Sequence, residues 1–310
     1  MNQPSSVRED PQSVPQVLTS DRLKAALRRV TDIVRTEGTR GLLRRFQRTV
    51  RQEMRYEDWI ERFDDKPETD RETFERKLQT LRTRPMFSIV MPAYETPAEL
   101  LEAAISSVRG QIYTNWELCI CDDGSSGLHI IDILERISRE EPRLRWTRLP
   151  TNMNISAASN AAFALATGDW IVPFDHDDLL RPHALLEVAL AISNATTARF
   201  VYSDEDKIDT LGLKRFEPHF KPDWSPDLLR SFNYLNHLSA MRSDDVRAIG
   251  GWTLGLEGVQ DHDLYLKVTE VLRRDEIVHI PKILYHWRVL GSGLNQHQKA
   301  MTAASATAEA

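Results

Sequence analysis

The sequence predicts an α/β fold in which a mixed, mostly parallel sheet is flanked by helices, with an N-terminal helical arm ahead of it. Three observations carry that prediction. From Met86 onward, apolar runs of strand length alternate with segments of helical periodicity, the connections between them are short, and acidic residues collect just after the apolar runs. Such alternation builds a sheet wrapped by helices, and ligands of such sheets sit at the carboxyl ends of the strands.

Taken in order, FSIVMPAYE reads as a buried strand ended by Pro92, and ELLEAAISSVRGQ as a helix with Leu100, Leu101, Ala104, Ile105 and Val108 on one side. WELCICDDGS is a second strand, HIIDILERISREE a second helix, LRWTRLP a third strand, SAASNAAFALATG a third helix and WIVPFD a fourth strand. The stretch LLRPHALLEVALAI continues as a helix. Three groups therefore gather at strand ends: Pro92, Ala93, Tyr94 and Glu95; Asp122, Asp123, Gly124 and Ser125; and Asp175, His176, Asp177 and Asp178.

The flanks differ in texture. Residues 1–20 are rich in Pro, Ser and Gln, lack periodicity and are expected to be disordered. Residues 21–84 form a charged, helical extension. Its first part carries an apolar stripe at Leu23, Leu27, Val30, Ile33 and Val34, a break at Gly38 and Gly41, and a resumed stripe at Leu42, Leu43, Phe46, Val50 and Met54. Residues 21–55 hold eleven Arg/Lys against four acids, a balance of +7 in a chain of formal charge -6. Two readings fit this arm: contact with an anionic membrane face, or packing on the main domain with a solvated Arg face. Residues 57–84 read as helical up to Pro85. Residues 291–310 form a low-complexity tail.

Composition excludes some classes. With 310 residues, 41% hydrophobic and 28% charged, the chain has room for one large domain plus an appendage, and no apolar run approaches a membrane span. The polar start MNQPSSVREDPQS lacks a secretory h-region, so a cytoplasmic location is expected, with peripheral contact at the inner face of the plasma membrane as an extension. Cys119 and Cys121 alternate onto one face of the second strand and read as small core residues, with no further cysteine to complete a thiolate metal site. No nucleic acid is expected among the partners.

The acid clusters carry the chemistry. Asp175, Asp177 and Asp178 fall within four residues. Like charges at that range raise one another's pKa, so a hard cation, Mg2+ or Mn2+, is the natural partner, shared with the oxygens of a substrate phosphate. An acidic turn, or a cluster with Asp178 at the positive end of the following helix, is the alternative. Asp122 and Asp123 can accept hydrogen bonds from a base N–H or a ribose hydroxyl. Neither GxGxxG nor GxxxxGK[ST] occurs, so any nucleotide diphosphate must be met by metal and isolated donors.

SIVMPAYE, CDDGSS, NISAASNAAFALATGDWIVPFDHDDLL and GVQDHDLYLK follow one another in an order and spacing that resembles the inverting family 2 glycosyltransferases of GT-A fold. With VYSDEDKID and FKPDWSPDLLRSFNYLNH, the likeness covers residues 86–290 and is nearest the bacterial branch that builds O-antigen and other surface polysaccharides. It implies a GT-A domain over residues 85–290, of the nucleotide-diphospho-sugar transferase type. It also implies a UDP- or dTDP-sugar donor of a hexose or deoxyhexose, Mn2+ or Mg2+ as cofactor, and a glycan acceptor linked to a polyprenyl lipid.

Position by position, Pro92, Tyr94 and Glu95 resemble the first nucleotide-contacting segment, and Asp122 or Asp123 the carboxylate that reads the base. Asp175 and Asp177 match the DxD motif, with Asp175 near the ribose and metal, Asp177 on the metal and Asp178 able to share it. Asp261 resembles the general base; Gln260 replaces the Glu of the familiar Glu-Asp pair, and Asp263 faces elsewhere on the helix. His286 resembles a residue completing the metal shell, and Arg288 one facing the diphosphate. YSDEDK at 202–207 is either beside the acceptor site or a solvated turn. Trp252 and the Trp of KPDWSP are either sugar platforms or core. Asn152-Met153-Asn154 stands where the family pattern ends in Gly, and Asn tolerates the left-handed conformation. Two rival functions fit the residues less well: a non-catalytic partner of a polysaccharide assembly complex that binds nucleotide-sugar or glycan, and a metal-dependent phosphatase or nucleotidyltransferase.

Overall fold

The computed structural model describes residues 55–67 and 69–290. The segments expected to be disordered, the basic stripe up to residue 54 and the low-complexity tail lie outside the described residues. Helices α1 (Tyr56–Phe63) and α2 (Arg71–Gln79) precede β1 (Phe87–Ala93), α3 (Ala98–Arg109), β2 (Trp116–Asp122), α4 (Leu128–Glu140), β3 (Leu144–Arg148), α5 (Asn154–Phe163) and β4 (Trp170–Pro173). There follow β5 (Leu179–Leu180), α6 (Ala184–Asn194), β6 (Phe200–Ile208), β7 (Arg215–His219), α7 (Pro226–Ser231), β8 (Ser239–Arg242), α8 (Ser243–Ala248), α9 (Gln260–Glu270) and β9 (Ile277–Arg288). Among the described residues no helix is long and apolar enough to cross a membrane.

The strands form one mixed sheet in the order β3-β2-β1-β4-β8-β6-β9-β5, with β7 on β6. β3, β2, β1 and β4 run parallel, β8 is antiparallel to both β4 and β6, and β9 runs parallel to β6. All seven residues of β1 and of β2 are buried, as their unbroken apolar runs require of strands covered on both faces. Alternation sorts them between two layers. Ile89, Met91, Leu118 and Ile120 pack with α3, α4 and α6, whereas Val90, Cys119 and Cys121 pack with α5, α9 and Trp252. Both cysteines are free thiols on one face, and burial pushes each up to about 12.

Strand order reverses at β1, which pairs with β2 on one side and β4 on the other. The carboxyl ends of β1 and β4 thus flank the crevice where such sheets take ligands.

Three stretches differ from expectation. The helix after the fourth strand begins only at Ala184, because Leu179 and Leu180 pair with Tyr285 and His286 of β9; Asp178 is therefore not a helix-start carboxylate. YSDEDK is not a solvated turn: it lies within β6, where Asp204, Glu205 and Asp206 are buried. Residues 57–84, expected as part of an extension over 21–84, hold two helices, and the compact unit starts at Tyr56, so this stretch belongs with the sheet. Phe74 of α2 is buried in the first layer, Lys77 pairs with Glu187 of α6 at 2.9 Å, and Tyr113 donates to the Pro85 carbonyl at 2.7 Å.

Candidate active site

The loops after β1 and β2 are tied together by their own polar groups. Glu95 adopts φ 48°, its N–H donates to Ser125 Oγ at 2.9 Å, and its Oε1 accepts from the Ser126 N–H at 2.7 Å. That amide holds the Glu95 carboxyl below its ordinary range. Glu95 therefore spends a carboxylate oxygen on shaping the second loop, while Tyr94 beside it is 44% exposed and Pro92 lines the crevice. Asp122 is fully buried, accepts from the Ser125 N–H at 3.1 Å and has Arg148 Nε at 3.2 Å. Asp123 Oδ1 accepts from the Met153 N–H at 2.8 Å; burial raises its pKa. Gly124 at φ 70° makes the tight turn, and Asn154 takes φ 70°, the left-handed conformation its side chain tolerates.

The acid turn after β4 is fastened from β9. Asp178 Oδ2 accepts from Tyr285 Oη at 2.6 Å, and Oδ1 accepts from the Arg288 N–H at 2.7 Å. Burial raises the Asp178 carboxyl well above its ordinary value, and the neighbouring Asp177 and Asp175 charges add to this. Burial likewise raises Asp177. His176 Nδ1 lies 3.0 Å from Thr96 Oγ1, linking the turn to the β1 loop.

One residue without a role in the sequence reading stands in the centre. His237, from the loop before β8, has Nε2 at 3.6 Å from Asp175 Oδ2 and Nδ1 at 3.4 Å from Glu205 Oε2, and its N–H donates to Glu205 at 2.8 Å. Burial disfavours the imidazolium, yet Glu205, Asp175 and Asp178 outweigh it and raise the pKa to about 9. One donor atom each from Asp175, Asp178 and His237 lies within 4.8 Å of the others. Two carboxylates and an imidazole form a donor set that fits Mn2+ or Mg2+, and a cation there would offset the cost of burying the Asp178 carboxylate. FNYLNH was visible in the sequence, but nothing in it tells which face of the fold its histidine takes.

His286, by contrast, is not brought to the cluster, and Arg288 reaches it through its backbone amide with its guanidinium turned away from the crevice. His286 lies on the other face of β9, bonded through Nδ1 to Asp206. Arg288 is 4% exposed; its guanidinium donates to the carbonyls of Asp177 (2.7 Å) and Thr210 (2.9 Å), so it braces the acid turn instead of facing open space. Trp287 packs at the edge of the first layer.

Asp261 occupies the first turn of α9 and lines the same crevice. Its Oδ1 accepts from Trp252 Nε1 at 2.9 Å and its Oδ2 from Gln260 Nε2 at 3.2 Å. Trp252 is buried and held in turn by Asn160, which accepts from its N–H at 2.9 Å and donates to its carbonyl at 2.8 Å. It is thus core with a polar edge. Asp263 faces elsewhere, accepting from Thr253 and Lys267. Pro92, Asp175, His237, Trp252 and Asp261 line one narrow crevice, so a carboxylate from α9 meets the acid cluster there.

Comparison with solved structures gives the class first. The fold matches Staphylococcus aureus TarS 1–349 in complex with UDP-GlcNAc with TM-score 0.56 at 17% identity, over 69% of this chain and 60% of that one. It also matches the mannosyltransferase PcManGT from Pyrobaculum calidifontis in complex with GDP-Man and Mn2+, with TM-score 0.53 at 18% identity, over 78% and 72%. The architecture is the GT-A-like fold. Residues 88–250, more than half of the chain, match Glycosyl transferase family 2, and the chain belongs to that family. It is 37% identical to the O-antigen biosynthesis protein RfbC of Myxococcus xanthus over 227 residues, which is 71% of this chain and 18% of that protein. The chain spans about a fifth of the length of such relatives.

Proposed function

We propose that this chain is the catalytic domain of an inverting, divalent-metal-dependent glycosyltransferase that moves a sugar from a nucleoside diphosphate to a hydroxyl of a growing cell-surface polysaccharide. The observation that carries the proposal is the shared crevice, which Asp261, Asp175 and His237 line together. Displacement at an anomeric carbon needs a base for the incoming hydroxyl and charge neutralisation for the leaving diphosphate, on opposite sides of the sugar. Asp261 takes the proton from the acceptor hydroxyl. Trp252 and Gln260 fix its carboxylate through the two hydrogen bonds described. The Tyr94 ring offers a face to the base, and Asp123, in the turn shaped by Glu95, is the carboxylate for the base, because Asp122 is fully buried against Arg148 and the Ser125 amide.

Asp175, Asp178 and His237, with Asp177 alongside, would hold Mn2+ or Mg2+, which supplies positive charge to the diphosphate when bound. The relatives support the reading: TarS and PcManGT are solved with UDP-GlcNAc and with GDP-Man and Mn2+, and RfbC is named for O-antigen biosynthesis. The UDP- or dTDP-sugar donor, the polyprenyl-linked acceptor and contact of residues 21–55 with the inner membrane face extend the proposal from sequence.

The test titrates UDP-, dTDP- and GDP-sugars against the full chain in Mn2+ or chelator, then separates free sugar, inorganic phosphate and transferred sugar. Transfer that needs Mn2+, with Asp261→Asn lowering turnover by about 10²- to 10⁴-fold while nucleotide binding persists, is the expected result. Release of inorganic phosphate would favour a phosphatase. Absence of any nucleotide binding by the folded chain would overturn the donor site.

A further inference from the structure

β9 changes face partway along its length. His279 pairs with Asp204 at 2.8 Å and His286 bonds to Asp206, so both lie on one face of the sheet although their positions differ by an odd number. Plain alternation would put Tyr285, not His286, on the face of His279. The pairing with β6 explains the reversal: Ser203 is opposite Ile280, Asp204 opposite Ile283 and Glu205 opposite Tyr285, so the register shifts twice within three residues of β6. Such bulges re-aim side chains at the cost of ladder hydrogen bonds. This one turns Tyr285 toward Asp178 and His237, with its ring stacked on His237 at 4.5 Å.

A segment from outside the family match is anchored within that bulge and beyond it. Asp65 pairs with Lys282 at 2.7 Å, within the bulge. Tyr56 Oη donates to Asp206 Oδ2 at 2.5 Å, and Arg215 bridges Asp206 and Asp64 at 2.6 Å to each. Asp206, fully buried, therefore joins α1, β7 and His286 of β9 at one carboxylate. Asp65 also receives Arg181 Nη2 on its carbonyl, and the Arg181 N–H donates to Leu284, so the strand opposite β9 is caught as well.

We infer that Tyr56–Asp65 is a positioning brace, with Tyr56 and Asp65 as its positioning residues: it fixes the frame of β9 beyond the bulge and so aims Tyr285 and the Arg288 amide at Asp178. A one-residue slip would send Tyr285 to the far face and leave the buried Asp178 without its two donors. The inference rests on the metal reading of Asp175, Asp178 and His237.

The test titrates Mn2+ alone into the full chain, following the free-ion paramagnetic resonance signal, with thermal midpoint and amide exchange of residues 284–288 measured alongside. Tyr56→Phe and Asp65→Asn should each weaken Mn2+ about tenfold, the low end for residues that orient metal ligands, and should speed exchange at 284–288. Tyr56→Phe should add little once Tyr285→Phe is present, because both act through Asp178. Val246→Ala, in the other hydrophobic layer, should lower the midpoint with Mn2+ affinity and exchange at 284–288 unchanged. If Tyr56→Phe does not fold, Lys282→Met releases the same brace from the β9 side. Brace variants that lose stability while binding Mn2+ as the wild type does would overturn the inference alone. A wild type that binds no Mn2+ would overturn the metal reading and the inference with it.

Discussion

Gly124→Ala should do more damage than any other single methyl added in the crevice loops. A Cβ at this position would lie 2.5 Å from Thr151 C, 2.7 Å from Thr151 Cα and 2.8 Å from Asn152 N, all backbone atoms that cannot swing aside as a side chain does. Its φ of 70° adds the left-handed cost of about 1 to 2 kcal/mol, and forcing the backbone apart adds about 1 to 3 kcal/mol. The expected loss is about 2 to 5 kcal/mol, or roughly 10 °C in melting temperature for a unit of this size. The displaced segment carries the Met153 amide that binds Asp123, so Mn2+-dependent UDP affinity should fall about tenfold as the turn loses its shape. Gly110→Ala is the control. Gly110 has φ -78° and its nearest contact for a Cβ is the Ser106 carbonyl oxygen at 3.3 Å, so its change should stay within about 1 kcal/mol. Urea unfolding midpoints and calorimetric UDP titrations on both variants decide the matter. A Gly124→Ala protein within about 0.5 kcal/mol of wild type would refute the argument that this turn is sterically closed.

Trp252→Phe removes the N–H that holds Asp261 while keeping an aromatic ring beside Phe163; turnover should drop about tenfold with donor affinity unchanged, and an equal loss of donor affinity would point to a packing role instead. His237 supplies a pH dependence. Its folded pKa is raised to about 9 from 6.5, so in chelator its contribution to stability is full below pH 6.5 and is lost as pH rises through about 9. Because a metal needs the neutral imidazole, Mn2+ affinity should climb across that same window, and His237→Asn should flatten both trends. An Mn2+ affinity that does not vary between pH 6.5 and 9 would remove His237 from the donor set.

The sequence by itself determined the half of the sheet that alternates with helices. Unbroken apolar runs such as FSIVMPA and WELCICD suit only strands covered on both faces, and the turn residues after them, Gly124 and Asn154, have the backbone freedom the turns use. It also determined which acids stand at the crevice, since Asp175 and Asp261 are placed by local features: the end of a strand and the start of a helix. Tertiary structure alone decided what surrounds them. His237 reaches Asp175 because β8 runs back between β4 and β6, a pairing of chain segments far apart in sequence. The acidic run of β6 is buried rather than solvated because Lys221, Arg215, His279 and His286 converge on it from three other segments, and no window of sequence shows that convergence. His286 and Tyr285 exchange the faces that counting would assign them because a bulge in β9 shifts the count. A side chain's face depends on every residue paired before it, and that pairing exists only in the folded sheet.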